Sequence, residues 1–174
     1  MTKSLNLRIT EVFTSLQGEA ITSGLPTTFT RLTGCPLRCV YCDSEYAFQG
    51  GEQSSIAELV SQVAEAGVPR VCVTGGEPLA QPNCWSLLTE LCDAGFEVSL
   101  ETSGAIDITD VDSRVSVVLD LKTPGSGESL KNLLSNLTRI ETKDQIKVVV
   151  TSADDFRWFE LFCDEHPEVT HAGT

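Results

Sequence analysis

Apolar positions along this chain follow two rhythms, short runs at a spacing of two and longer segments at spacings of three and four. Leu7, Ile9 and, after Glu11, Phe13 alternate with polar neighbours, which predicts a half-buried strand from Leu7 to Phe13. Thr27 to Thr33 is β-branched and aromatic and predicts a second strand. Val71-Cys72-Val73-Thr74, Glu97 to Glu101, Val115 to Asp120 and Ile146 to Val150 read as further strands. Between them, Ile56, Leu59, Val60, Val63 and Ala64 recur at helical spacing behind the capping box Ser55-Ile56-Ala57-Glu58, and Gly67 ends that helix. Leu87, Leu88, Leu91 and Cys92 mark a helix from Asn83 to Ala94. Leu130, Leu133, Leu134 and Leu137 mark another, and Ser152 can cap a last one carrying Phe156, Phe159 and Cys163.

Strands that alternate with helices through short connections argue for parallel βαβ units. Five strands from Thr27 onward, with the N-terminal one beside them, predict an α/β fold built as an incomplete (β/α) barrel in a single domain. Functional residues of such folds gather at the C-terminal ends of the strands. Four polar stretches fall there: the loop after Thr33, Gly75-Gly76-Glu77, Glu101-Thr102-Ser103 and Asp120-Leu121-Lys122.

Composition narrows the function classes. The 174 residues are long enough for a real core, and 41% of them are hydrophobic. A formal net charge of −13 repels phosphate backbones, so direct nucleic-acid binding is not expected. No apolar run is long enough to span a membrane, and Met1-Thr2-Lys3-Ser4-Leu5-Asn6 lacks the apolar centre of a signal peptide. A cytoplasmic location follows as the expectation, and seven cysteines, an odd number, suit a reducing compartment.

Gly34-Cys35-Pro36-Leu37-Arg38-Cys39-Val40-Tyr41-Cys42-Asp43-Ser44 carries the most specific chemistry. Thiolates bind soft metals, and the spacing C-x3-C-x2-C lets one loop wrap an inorganic core. A structural zinc site wants a fourth protein ligand, and neither His166 nor His171 is near in sequence. A disulfide or zinc loop is the plainer alternative. Gly75-Gly76-Glu77-Pro78 taken alone is a tight turn, and Gln17-Gly18-Glu19 alone is a surface turn. Arg31 alone could be a surface ion pair and Ser44 a helix cap. Cys72, Cys84, Cys92 and Cys163 fall on apolar faces as small core residues, and His166 caps carbonyl groups or is solvated.

The cysteine loop resembles the signature of the radical S-adenosylmethionine superfamily, and Gly75-Gly76-Glu77-Pro78 resembles its second signature. Leu16-Gln17-Gly18-Glu19, Phe29 to Cys35, Cys42-Asp43-Ser44, Thr74 to Pro78, Glu101 to Gly104 and Asp120 to Pro124 together resemble the 7-carboxy-7-deazaguanine synthase family. That family converts 6-carboxy-5,6,7,8-tetrahydropterin to 7-carboxy-7-deazaguanine with loss of ammonia, on the way to queuosine and other 7-deazapurines. The resemblance implies a [4Fe-4S] cluster on Cys35, Cys39 and Cys42, and Mg2+ at the Ser44 hydroxyl. It implies substrate contacts from Leu16, Gln17, Gly18, Arg31 and Thr74, with Arg31 on the substrate carboxylate. It implies S-adenosylmethionine contacts from Tyr41, Gly76, Ser103, Asp120, Leu121 and Lys122, with Asp120 and Lys122 departing from the Ser-Pro-Lys of many relatives. A flavodoxin-type electron donor and a homodimer are implied as well. The family's closing segment has no counterpart after Cys163, so a chain lacking the C-terminal closing strand and helix is expected. Another radical enzyme of the superfamily, such as a glycyl-radical activase, and an inactive truncated metal-binding fragment are the alternatives.

Overall fold

Five parallel strands make the centre of the fold, side by side in the order in which the chain supplies them. The structure, a computed structural model, describes residues 5–172. Residues 1–4 of the stretch read for targeting, and residues 173–174 at the other end, lie outside the described residues. The strands are β1 (Asn6–Leu16), β2 (Pro26–Leu32), β3 (Glu52–Ser55), β4 (Arg70–Gly75), β5 (Glu97–Thr102), β6 (Ser116–Asp120) and β7 (Gln145–Lys147). Their order in the sheet is β3-β1-β2-β4-β5-β6-β7, with β2 through β7 parallel along that row and β1 and β3 antiparallel. The sheet keeps two edges, β3 and β7, so the barrel is open among the described residues, as the pattern predicts.

Among the described residues three α-helices flank the sheet: α1 (Ile56–Glu65), α2 (Cys84–Asp93) and α3 (Ala153–Glu165). The capping box forms at α1: Ser55 Oγ accepts from the Glu58 amide, and the Glu58 carboxylate accepts from the Ser55 amide at 2.8 Å. Ile56, Leu59 and Val63 from α1 and Leu87, Leu88 and Leu91 from α2 are buried in one core with Val71, Val73, Val98 and Leu100 of the sheet. Val71, Cys72 and Val73 are all fully buried, as a parallel strand covered on both faces requires. No described helix is long and apolar enough to cross a membrane.

The structure corrects several of these element assignments. β3 is too short and polar to show a period, and it exists because its backbone pairs with Asn6 to Ile9. The helix expected over Leu130 to Leu137 is instead two 3-10 turns, Ser129–Lys131 and Leu134–Arg139, and Leu130 is 99% exposed. Asparagines explain this. Asn132 exchanges hydrogen bonds with the backbone of Lys122 at 2.8 and 3.0 Å, and Asn136 bridges Gly104, Ile106 and Ile108. Those bonds tie the segment to strand ends and outweigh a continuous helix. On α3 the deeply buried aromatic is Phe162, whereas Phe156 is exposed. β7 runs over Gln145–Lys147, so of the expected strand Ile146 to Val150 only Ile146 and Lys147 pair, and the strand begins one residue earlier.

Ser152 caps α3 through the Asp155 amide, and Asp155 turns back to accept from the Gly125 amide at 2.8 Å and from the Thr151 hydroxyl at 2.6 Å. This pins the loop after β6. A Cβ on Gly125 would run into the Asp155 carboxylate. The Thr151 hydroxyl and the Gly125 amide hold the Asp155 carboxyl down at about 2, against an ordinary value of 3.8. A depressed carboxyl stabilises the fold above its unfolded pKa and loses that contribution as pH falls toward its folded one. Asp155→Asn is therefore expected to flatten the loss of thermal stability between pH 3.8 and about 2. Melting temperatures across that range that fall in parallel with the parent would contradict this role.

Candidate active site

The C-terminal ends of the parallel strands open on a cavity of about 590 Å³. Its first wall is the cysteine loop. Gly34, at φ 101°, makes the turn out of β2 that an L side chain would strain. The loop is then held by its backbone: Gly34 donates to Ala47 at 2.7 Å, Val40 donates to the Ser126 carbonyl at 3.0 Å, and the Arg38 amide donates to Glu128 Oε1 at 2.6 Å. The Arg38 guanidinium caps the Cys35 carbonyl at 2.8 Å and lies 4.3 Å from the centre of the Phe48 ring. Cys35, Cys39 and Cys42 are all free thiols and all line the cavity. Burial pushes the Cys35 and Cys39 thiols up, with Lys122 acting in the opposite sense on Cys39.

Gly75-Gly76-Glu77 locks β4 to that loop. A Cβ on Gly75 would strike the Leu32 carbonyl, and one on Gly76 would strike the Gly34 carbonyl and Cys35. The Glu77 amide donates to the Gly34 carbonyl at 2.8 Å. The Glu77 side chain, fully buried, accepts from the Leu79 amide at 3.0 Å, the Thr102 hydroxyl at 2.9 Å, the Ser103 amide at 2.7 Å and the Ser103 hydroxyl. Burial raises its pKa, and the Ser103 and Leu79 donors work against that rise. The glycines thus serve close packing of strand end on loop.

Opposite the cysteines, Leu16, Gln17 and Gly18 line the cavity at the end of β1. Gln17 Oε1 accepts from the Gly18 and Glu19 amides at 2.9 and 3.2 Å, so its amide Nε2 is left to donate, and it reaches Glu101 Oε1 at 3.2 Å. Thr74 Oγ1 donates to the other Glu101 oxygen at 2.7 Å. Arg31, Ser44 and Asp43 share the cavity, and Ser44 donates to Asp43 at 2.7 Å. Gln17-Gly18-Glu19 is therefore part of the site and no free surface turn.

Next to the cysteine loop, Ser103, Asp120, Lys122 and the loop's own Tyr41 line the wall, with Lys122 Nζ 5.9 Å from the Tyr41 ring centre. Leu121 does not: its side chain is buried in the core, and only its backbone is near, donating to the Lys147 carbonyl at 2.8 Å. Asp120 Oδ2 bridges Lys122 at 3.0 Å and Lys147 at 3.2 Å, and Lys147 reaches Glu19 at 2.6 Å. Burial is the largest single influence and opposes the charge on both lysines, yet Asp120, together with Glu19 at Lys147 and with Cys39 and Tyr41 at Lys122, raises both pKa values. The chain Glu19–Lys147–Asp120–Lys122 carries the β1–β2 loop across the mouth to β7, where the Ile21 amide also meets Gln145 at 2.8 Å. Asp120 Oδ1 and the Tyr41 hydroxyl are buried polar atoms with no partner among the described residues.

Sequence reading set Glu101 at a functional strand end but assigned it no role, and it held no sign of Lys147 or of the stacked pair Phe13–Phe29, whose ring centres are 5.0 Å apart. Glu101 had a signal, since it stands in the same strand-end motif as Ser103; Lys147 had none. Among the described residues, no three His, Cys, Asp or Glu side chains converge as ligands of one ion would. Ligands of a four-iron cluster go to separate irons and need no such convergence.

Comparison with known proteins agrees with this geometry. Residues 30–123 match the Radical SAM superfamily. A 7-carboxy-7-deazaguanine synthase of Methanospirillum hungatei JF-1 is 43% identical over 167 residues, 95% of this chain and 70% of the relative. That of Chlorobaculum tepidum is 38% identical over 169 residues, 95% of this chain and 77% of the relative. The crystal structure of QueE from Escherichia coli shares the fold, with a TM-score of 0.65 at 22% identity over 93% of this chain and 91% of that one. This chain belongs to the 7-carboxy-7-deazaguanine synthase family of the radical SAM superfamily.

Proposed function

We propose that this chain converts 6-carboxy-5,6,7,8-tetrahydropterin to 7-carboxy-7-deazaguanine with loss of ammonia, supplying a precursor of queuosine. The observation that carries the reading is that one cavity joins the three free cysteines to Gln17, Arg31, Thr74 and Glu101. Membership of the superfamily implies a [4Fe-4S] cluster and S-adenosylmethionine. The residues fit both: three unpaired thiols rim the cavity, and two orphaned buried polar atoms, Asp120 Oδ1 and the Tyr41 hydroxyl, await donors or acceptors. Bound together, these groups supply a carbon-centred radical able to take a hydrogen atom from the substrate.

The chain's own residues bind and orient. Cys35, Cys39 and Cys42 hold the cluster. Gly76, Ser103, Asp120, Lys122, Tyr41 and the Leu121 backbone face the S-adenosylmethionine. Gln17, whose amide is oriented by Gly18 and Glu19, and Glu101, held by Gln17 and Thr74, offer fixed donors and acceptors to the edge of a pterin. Leu16 covers the ring, and Arg31 takes its carboxylate. The hydroxyl of Ser44 beside Asp43 is a hard oxygen set suited to Mg2+. The loop bridging to β7 keeps water from the reacting centre. A flavodoxin-type electron donor, a homodimer and a cytoplasmic setting belong to the same reading and rest on the family.

The test is an anaerobic assay of the cluster-reconstituted chain with S-adenosylmethionine, Mg2+, a reductant and the tetrahydropterin, read by mass spectrometry. The expected result is 7-carboxy-7-deazaguanine and released ammonia. Cleavage of S-adenosylmethionine without that product would leave the radical chemistry standing and refute the substrate.

A further inference from the structure

The register between β1 and β2 is not uniform. Ile9 pairs with Leu32, but Glu11 pairs with Arg31 where an unbroken ladder would give it Thr30. The extra residue of this β-bulge is Thr10. The bulge swaps the faces of β1: Leu7 and Ile9 belong to the core before it, and after it Val12 takes the core side while Phe13 and Ser15 line the cavity. Alternation along the sequence puts Phe13 with Leu7 and Ile9; the bulge overturns that. It also sets Glu11 on the cavity side directly across from Arg31.

Arg31 Nε donates to Glu11 Oε1 at 2.8 Å, and the same oxygen accepts from the Tyr46 hydroxyl at 2.9 Å. The Arg31 guanidinium carbon lies 5.8 Å from the Phe13 ring centre and 5.7 Å from that of Tyr46. Among the described residues its two terminal nitrogens have no partner. The Arg31 side chain is 16% exposed and that of Glu11 39%. With the Glu11 carboxylate partly in solvent, the pair adds only modestly to stability. Its effect is orientation: with Nε engaged, the plane of the guanidinium is set, and the terminal fork remains free on a residue that lines the cavity.

We propose that Glu11 and Tyr46 are positioning residues that hold Arg31 for a substrate carboxylate, so that the bulge of β1 makes the pocket selective for a carboxylated ring over its decarboxylated counterpart. This rests on the function proposed above. A bidentate guanidinium–carboxylate pair needs its fork fixed in the plane of the anion. An Arg31 freed from Glu11 would have to order its side chain on binding and would lose that selectivity.

Equilibrium dialysis of the cluster-reconstituted, S-adenosylmethionine-loaded chain, with 6-carboxypterin and unsubstituted pterin as stable probes, separates the possibilities. The parent is expected to favour the carboxylated probe by about tenfold or more. Glu11→Ala should lower that preference by about tenfold and Tyr46→Phe by about threefold, whereas Glu11→Gln, which keeps an acceptor oxygen for Nε, should retain most of it. In turnover the effect should fall on KM more than on kcat. Equal weakening of both probes in Glu11→Ala, or an unchanged preference, overturns the positioning role while leaving the proposed function intact. A parent with no preference removes the carboxylate reading of the pocket and the clamp with it.

Discussion

Cys39→Ala is expected to yield a folded chain that assembles no cluster. The loop around Cys39 is held by backbone and neighbouring side-chain bonds, Val40 to Ser126 and Arg38 to Glu128, none of which uses the Cys39 sulfur. Cys39 is half-buried and unpaired, so its truncation should shift stability by no more than about 0.5 kcal/mol. The cluster, by contrast, would lose one of three thiolate ligands in a loop that offers no substitute. Iron and acid-labile sulfide after reconstitution should fall to traces, and product formation should drop by about a thousandfold or more. Cys163→Ala, on α3 and away from the cavity, is the matched control and should keep its cluster. A Cys39→Ala protein with near-parent iron and sulfide would remove the cysteine loop from the mechanism.

Glu77→Ala is expected to be the most destabilising single change at the site. The carboxylate is fully buried and accepts from two backbone amides and two hydroxyls that come from Thr102 at the end of β5, from Ser103 just after it and from the turn after β4. Removing it leaves those donors buried without partners, and leaves a void between strand end and loop. Four unsatisfied buried donors at about 1–3 kcal/mol each put the loss at roughly 4 kcal/mol or more, a large part of a domain's stability. Glu77→Gln keeps the volume but turns an NH2 toward donors, so it should lose less, about 1–3 kcal/mol. Because Ser103 is held by Glu77 and lines the cavity, both variants should also weaken S-adenosylmethionine binding. Urea midpoints on the apoprotein, with S-adenosylmethionine affinity beside them, measure the two effects. A Glu77→Ala midpoint within about 0.5 kcal/mol of the parent would show that those donors find other partners.

Much of this site was legible before the fold was known because its signals are local. The spacing of Cys35, Cys39 and Cys42, the paired glycines before Glu77 and the capping box at Ser55 each act within one loop or turn, so adjacency in sequence is adjacency in space. The same holds for the strands Arg70–Gly75 and Ser116–Asp120, whose apolar runs mark them as buried. Leu121 shows the limit: a motif can name a position without saying which way its side chain points, and here it points into the core.

The parallel α/β order of the chain, the cysteine loop and the strand ends where chemistry gathers are all written in local sequence. Periodicity, turn residues and ligand spacing report on neighbours a few residues apart, and these features need nothing more. The remaining features exist only once distant elements are packed together. The bulge at Thr10, the meeting of Glu101 with Gln17 and Thr74, the reach of Lys147 to Glu19 and Asp120, and the break-up of the Leu130 to Leu137 helix all depend on partners far along the chain. Cross-strand register, buried hydrogen-bond satisfaction and charge pairing are properties of elements already brought together, and no local pattern encodes which distant residue will be there.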